Sequence, residues 1–213
     1  NYKTALEYLD KIQARYPFGR YAQQAQLDTI YLQYKDGEPD AAIAAADRFI
    51  KANPRHPYVD YAYYMKGMAN FSRSDTIIDR FVPTDRSKTD TATARQSYND
   101  FAELARKFPN SKYAQDAQQR MQFLHNSLAT YEVHVADHYL QRGAYVAAVN
   151  RAKYVLENYS RTPAAADALS IMTQAYVKMN MPQLAADSLR VLQHNYPDSP
   201  DLPKLNALVK GAG

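Results

Sequence analysis

YPFGRYAQQA at residues 16–25 returns as FPNSKYAQDA at residues 108–117. Both copies read aromatic, Pro, two turn residues, a base, then Tyr-Ala-Gln-x-Ala. Looser versions stand at Asn53-Pro54-Arg55-His56-Pro57, Tyr159-Ser160-Arg161-Thr162-Pro163 and Tyr196-Pro197-Asp198-Ser199-Pro200. Each reads as a helix stop followed at once by a helix start. A Pro in the second place cannot continue a helix, because it has no N–H and its ring clashes with the preceding turn. Gly19, His56, Ser111, Thr162 and Ser199 are then the candidate N-caps. Pro57, Pro163 and Pro200 follow three of them, where a missing N–H costs nothing. Five corners of one design predict a helical repeat protein.

Between the corners the apolar residues recur at three and four residue steps. Tyr2, Ala5, Leu6, Leu9 and Ile12 form one such stripe in a helix over 2–15. Helices are expected next over 21–34 and 39–52, the second opened by Pro39, with Ala42, Ile43, Ala46, Phe49 and Ile50 inward. Pro17 and Pro54 stand 37 positions apart, near the ~34 of a tetratricopeptide unit. A third unit starts at Pro57, and its Gly67 allows close helix approach. Residues 72–90, with Phe81-Val82-Pro83 inside, are polar and aperiodic and read as an irregular insert. A long helix follows over 113–141, with Met121, Leu124, Leu128, Tyr131, Val135 and Tyr139 in its stripe. Helices over 144–158, 163–179 and 182–194 come after it, and then a short capping helix. The expected fold is all-α, a tetratricopeptide-repeat solenoid of about five helical hairpins with the first truncated. It reads as one continuous solenoid with an N-terminal half (1–108, including the 72–90 insert) and a C-terminal half (109–213).

Composition narrows the function. The chain has 26 Lys and Arg against 22 Asp and Glu, and the small excess is shared evenly between the halves. No basic tail or stripe points to nucleic acid. No apolar run reaches the ~18 residues of a membrane helix. With no cysteine, thiol catalysis, thiolate metal sites and disulfides are excluded. The sequence opens inside a helical pattern, without Met, and reads as a fragment whose processed N-terminus is missing. No nucleophile elbow, phosphate loop or dinucleotide glycine pattern is present, so no catalytic residue or cofactor is assigned. His134 and His138 lie four apart, but Val135 stands where a zinc protease helix needs Glu, and no third ligand has a recognisable spacing, so no metal is assigned.

Nineteen tyrosines and no tryptophan leave the aromatic series as the densest feature: Tyr16, Phe18, Tyr21, Tyr31, Tyr34, Tyr61, Tyr63 and Tyr64. Such rings pack between helices, or they line a groove for an extended peptide. The second reading selects Tyr16, Phe18, Tyr21, Tyr31, Arg48 and Tyr64 as peptide-binding. The tight turn at Gly143 carries Arg142, Asn150 and Arg151, which read as a solvated helix surface or as an interface, since Arg favours interface ion pairs. Two other functions are weighed on these residues: a generic repeat adaptor, and a hydrolase with an exposed Glu103 or Glu132, against which it counts that neither glutamate lies in a recognisable site motif.

Arg15-Tyr16-Pro17-Phe18-Gly19, Asp47-Arg48-Phe49-Ile50, Met65-Lys66-Gly67, Asp85-Arg86-Ser87 and Val149-Asn150-Arg151 resemble the BamD lipoproteins of the bacterial β-barrel assembly machinery. The resemblance runs in order from residue 1 to about 196. It implies a non-enzymatic scaffold on the periplasmic face of the outer membrane, held by a lipid anchor that this chain does not include. It implies three kinds of partner: the barrel-forming subunit of the machinery, accessory lipoproteins, and unfolded outer-membrane proteins. Arg142, Asn150 and Arg151 would face the barrel subunit, with Arg151 in the family's interface motif. The N-terminal half would receive the C-terminal signal of an unfolded outer-membrane protein. Thr89 stands where the family places a second base in the insert.

Overall fold

The computed structural model describes residues 1–78 and 87–211, with side chains described outside 74–90. The fold is an all-α repeat, and the described residues contain no strand. Among the described residues ten helices follow one another: α1 Tyr2–Arg15, α2 Arg20–Lys35, α3 Pro39–Ala52, α4 Val59–Ile78, α5 Ser87–Lys107, α6 Ala114–Gln141, α7 Tyr145–Asn158, α8 Ala164–Lys178, α9 Pro182–Asn195 and α10 Leu202–Lys210. Helix α1 packs against α2. Four hairpins follow: α2–α3, α4–α5 and α8–α9 pack pairwise and α10 packs on α8 and α9, while α6–α7 is joined by the Gly143 turn and the Arg151–Glu132 hydrogen bond. The chain divides into two compact units within α6, Asn1–Leu124 and His125–Gly213.

Two kinds of corner alternate, and each has its own hydrogen-bond scheme. Inside a hairpin the chain turns through one left-handed residue: Gly37, Gly143 or Asn180. Glu38, Ala144 and Met181 then donate five residues back, to Gln33, Tyr139 and Tyr176. These bonds satisfy carbonyls that a helix end would leave unpaired. Between hairpins the chain makes two successive tight turns. His56, Ser111, Thr162 and Ser199 donate their N–H to the carbonyls of Asn53, Phe108, Tyr159 and Tyr196. Val59, Ala114, Ala165 and Leu202 then donate to the carbonyls of His56, Ser111, Thr162 and Ser199.

That second turn corrects the capping roles expected of His56, Ser111, Thr162 and Ser199, because each helix begins two or three residues later. Pro163 and Asp201 hold the N-cap positions of α8 and α10. The buried Thr162 hydroxyl donates back to the Tyr159 carbonyl at 2.8 Å, and the Ser111 hydroxyl donates to Asp60 at 2.6 Å. Only Gly19 occupies its expected cap position, at φ 92° and with no side chain to offer. Within the 72–90 stretch expected to be irregular, residues 72–78 and 87–90 are helical, since α4 runs on to Ile78 and α5 begins at Ser87. Its Phe81-Val82-Pro83 and Asp85-Arg86 lie outside the described residues.

In the first unit Leu27, Ile30, Ala45, Ala46, Phe49, Ala62 and Met65 form a closed cluster. Each large side chain removed from water there contributes about 1.5–3 kcal/mol. Gly67 lies against the ring of Phe101, so close that an added Cβ would come within 2.6 Å of it. The chain therefore needs a residue without a side chain at that crossing. Behind it the buried Asp100 accepts from Asn70 at 2.7 Å and from Gln96 at 3.1 Å, with Lys66 at 3.7 Å. Burial raises the Asp100 carboxyl above its ordinary value against the pull of Asn70 and Lys66. In the second unit Leu169, Leu189, Leu192 and Leu205 form the core, and α10 covers it with Leu202, Leu208 and Val209.

Candidate functional site

The first helices of three successive hairpins each carry a stripe of rings, joined on α2 and α6 by charged side chains. On α2 the stripe is Tyr21, Gln24, Asp28, Tyr31 and Lys35. On α4 it is Tyr61, Tyr64 and Phe71. At the start of α6 it is Tyr113, Asp116, Arg120 and Phe123. Steps of three, four and seven place each set on one helix face. The repeat lays α2 against α4, and side-chain contacts join α4 to the start of α6. Tyr113 stacks on Tyr64 with centroids 4.6 Å apart and also meets Tyr61 at 5.7 Å. The Tyr64 hydroxyl donates to Asp116 at 2.7 Å. Arg120 donates through Nε to the same carboxylate oxygen at 2.6 Å. Its guanidinium lies over the ring of Phe71, 4.8 Å from the centroid, and Phe71 meets Phe123 at 5.9 Å.

The electrostatics follow from this packing. Burial, together with the Asp116 carboxylate, pushes the Tyr64 phenol up to about 12. Tyr61 is raised further, by burial first and then by the neighbouring Tyr113, Tyr31 and Asp28. Burial works against the Asp116 carboxylate, but the hydrogen bonds from Arg120 and Tyr64 outweigh it, so its carboxyl sits below the ordinary value. The phenols stay protonated as donors at neutral pH, and the ladder has one fixed acid–base pair.

At the α1 end, Ala5, Tyr8, Leu9, Asp28, Tyr31 and Leu32 line a pocket of about 450 Å³. Tyr31, selected from the sequence, is one wall. Tyr8 is another, and sequence reasoning passed over it. Its signal was there, because position 8 falls three after Ala5 and four before Ile12, on the same face as the α1 stripe. That stripe is only partly covered, and α1 contributes no fully buried residue.

The remaining predicted peptide-binding residues separate. Tyr16, Phe18 and Tyr21 gather at the α1–α2 corner, where Phe18 is 90% exposed. Arg15 lies over Tyr16 and Arg20 over Tyr21, at 5.8 and 5.0 Å. Tyr21 shares the α2 stripe with Tyr31. Tyr64 is half-buried in the stack with Tyr113. Arg48 is exposed on α3, a helix that carries none of the ladder.

In the second unit Arg142 sits in the turn before α7, and Asn150 and Arg151 are neighbours on α7. All three are exposed. Arg151 donates through Nη1 to Glu132 of α6 at 3.0 Å, and its side chain is 46% exposed against 4% for that of Glu132. Glu132 is thus a buried carboxylate, which corrects its reading as an exposed glutamate. Glu103 is half-buried and held by Lys107 at 2.7 Å. The buried face of α6 is also turned from the expected stripe. Ala117, Leu124, Leu128, Ala129, Val133 and Ala136 are buried, while Met121, Tyr131, Val135 and Tyr139 are half-covered. His134 and His138 are exposed. Among the described residues no three His, Cys, Asp or Glu side chains are grouped to hold a metal, and no helix is long and apolar enough to cross a membrane.

Comparison with known proteins adds the following. The family model YfiO, described as outer membrane lipoprotein, matches residues 1–192. The chain is 44% identical over 202 residues to the outer membrane protein assembly factor BamD of Neisseria gonorrhoeae, covering 95% of this chain and 76% of that protein. It is 39% identical to the BamD of Xylella fastidiosa, covering 92% and 69%, and 36% identical to that of Vibrio cholerae, covering 90% and 80%.

Proposed function

The chain belongs to the YfiO family of outer membrane lipoproteins and works in outer-membrane protein assembly, and we propose that it does so as a non-enzymatic scaffold with two binding surfaces. One is the ring ladder of the first unit, which receives the C-terminal signal of an unfolded outer-membrane protein as an extended peptide. The other is the Arg142, Asn150 and Arg151 surface of the second unit, which binds the periplasmic domain of the barrel-forming subunit. Accessory lipoproteins of the machinery would complete the complex, on the periplasmic face of the outer membrane.

The observation that carries the first surface is the continuity of ring stripes across α2, α4 and α6, with Tyr31 opening into the 450 Å³ pocket. Rings with few rotatable bonds give contact area at low entropic cost. Apart from that of Tyr64, which is already given to Asp116, their hydroxyls can donate to the carbonyls of an extended chain. The exposed Phe18 adds apolar surface that no fold requirement explains. For the second surface the support is the half-exposed guanidinium of Arg151, oriented by a buried carboxylate.

The test is site-specific photocrosslinking to an unfolded outer-membrane protein. Photoreactive groups at Phe18, Tyr31 and Phe123 should capture the substrate's C-terminal strand, while one at Lys51 of α3 should not. Equal yields at all four positions would remove the ladder as the receiving surface.

A further inference from the structure

Charge is not spread evenly over the first unit. Its corners at 16–19, 53–58 and 108–113 lie side by side along one edge, because Gln23 of α2 donates to Asn53 at 3.0 Å and Ser111 donates to Asp60 of α4 at 2.6 Å. With the helical turns on either side, these corners carry seven exposed bases: Arg15 and Arg20 at the first, Lys51 and Arg55 at the second, Arg106, Lys107 and Lys112 at the third. The acids there are Asp60, which accepts from Ser111, and Asp116, which accepts from Tyr64 and Arg120. Among the described residues Lys107 alone of the seven meets a carboxylate, that of Glu103 at 2.7 Å. The turn itself does not call for bases. The two corners of the second unit repeat the hydrogen-bond scheme of those at 53–58 and 108–113, yet they carry Arg161 and Lys204 against Glu157, Asp167, Asp198 and Asp201. Nor do the helix ends account for all seven. Arg15, Lys51, Arg106 and Lys107 complement the negative ends of α1, α3 and α5, but Arg20, Arg55 and Lys112 sit at the positive ends of α2, α4 and α6, where a base is disfavoured.

We propose that this edge is a membrane contact, with its bases set against the headgroups of an anionic phospholipid bilayer. Each base near such a surface multiplies the affinity about fivefold. A member of a family of outer membrane lipoproteins works beside a bilayer. Bases spread over three successive corners, rather than gathered about a groove, suit an extended anionic surface, and none of them lines the pocket at the α1 end. Tyr58, three residues after Arg55 and 56% exposed, adds an amphipathic ring of the kind that settles at headgroup level. None of the seven bases belongs to the ring ladder or to the Arg151 surface, so the edge is independent of both.

Vesicle co-sedimentation of the whole chain tests this with two lipid compositions, phosphatidylcholine alone and phosphatidylcholine with about one-third phosphatidylglycerol, which differ in surface charge. At about 0.1 M salt the chain should pellet with the anionic vesicles and not with the neutral ones. At about 1 M salt, where the Debye length is about 3 Å, it should be released. Arg55→Gln, Arg106→Gln and Lys112→Gln together should weaken binding to the anionic vesicles about a hundredfold, three bases at about fivefold each. Arg161→Gln, Lys178→Gln and Lys210→Gln together remove the same charge from the second unit and should bind like wild type. Equal helical circular dichroism shows that both triple variants are folded. Equal losses in the two variants would make the effect one of net charge and overturn the assignment to this edge. Wild type that stays in the supernatant above anionic vesicles overturns it too. A labelled oligoglutamate peptide is the third probe. If the chain ignores the vesicles but captures that peptide through the same three bases, the edge binds an acidic protein segment and the membrane contact is refuted.

Discussion

Charge reversal at Arg151 should destabilise the second unit before it says anything about binding. Its partner Glu132 is 3% exposed and receives Nη1 at 3.0 Å. Removing one member of a fully buried pair costs about 3–5 kcal/mol, and of an exposed pair about 0.2–1 kcal/mol. Here the acid is buried and the base half-wet, so Arg151→Gln should cost about 1.5–3 kcal/mol, the range of a hydrogen bond to a charged group. Arg151→Glu adds a second carboxylate beside the first. At ~5 Å and an effective dielectric constant of ~20, that repulsion is ~3 kcal/mol before side-chain rearrangement moves the new carboxylate into water. A total of about 3–5 kcal/mol is expected. Urea unfolding followed by far-ultraviolet circular dichroism checks it. The variant's last helical transition should move to lower urea, and Glu132→Gln combined with Arg151→Glu should restore about half of the loss. An Arg151→Glu chain that unfolds with wild type would refute the pair's structural role. Loss of partner binding in Arg151→Glu counts as an interface effect only if the double variant, once folded, still fails to bind.

Three further substitutions probe the first unit. Gly67→Ala should lower the melting temperature, because its Cβ would meet the fully buried ring of Phe101 at 2.6–2.7 Å. Overpacking of about 1–3 kcal/mol exceeds the ~1 kcal/mol gained in helix propensity, and adding Phe101→Leu should relieve it; a raised melting temperature in the single variant would show that the crossing can give. Asp116→Asn tests linkage. The Asp116 carboxyl lies below its ordinary 3.8 in the folded chain, so its contribution is present above that value and is lost as pH falls through the folded one. The stability gap between wild type and variant should be constant above about pH 5 and shrink below it, and a gap that widens in acid would contradict the sign. Phe18→Ala should leave thermal stability within about 0.5 kcal/mol, as a surface change does, while weakening signal-peptide capture in an anisotropy assay. A large drop in stability would make the ring part of the core.

The helices were legible because their signals are local. Pro17, Pro54, Pro109 and Pro197 stop helices whatever surrounds them, and apolar steps of three and four run between these stops. Predicted helix ends agree with the observed ones to within one or two residues almost everywhere outside 72–90. Gly67 was also readable as a close approach. The corner at Tyr16 was readable as unusual, since Phe18-Gly19 replaces the polar Asn110-Ser111 of its second copy, and the structure leaves Phe18 in water.

What failed needed neighbours. Thr162 has the chemistry of a cap, yet its hydroxyl turns back to Tyr159 because the corner makes a second turn before α8 begins. The face that α6 buries is set by small residues, Ala117, Ala129 and Ala136, which weigh little in a hydrophobic pattern but allow close approach. That rotation buries Glu132 and half-uncovers Tyr131. The ladder depends on pairs far apart in the chain, Tyr64 with Tyr113 and Asp116 across one repeat. Sequence by itself determined the helices, the repeat and its two kinds of turn residue, because backbone sterics and 3.6-residue periodicity act within a few residues. Only tertiary packing decided which rings stack, which carboxylates are buried and which bases keep a hand free. Those depend on the rotation of each helix against its neighbours, and that is set by contacts tens of residues away.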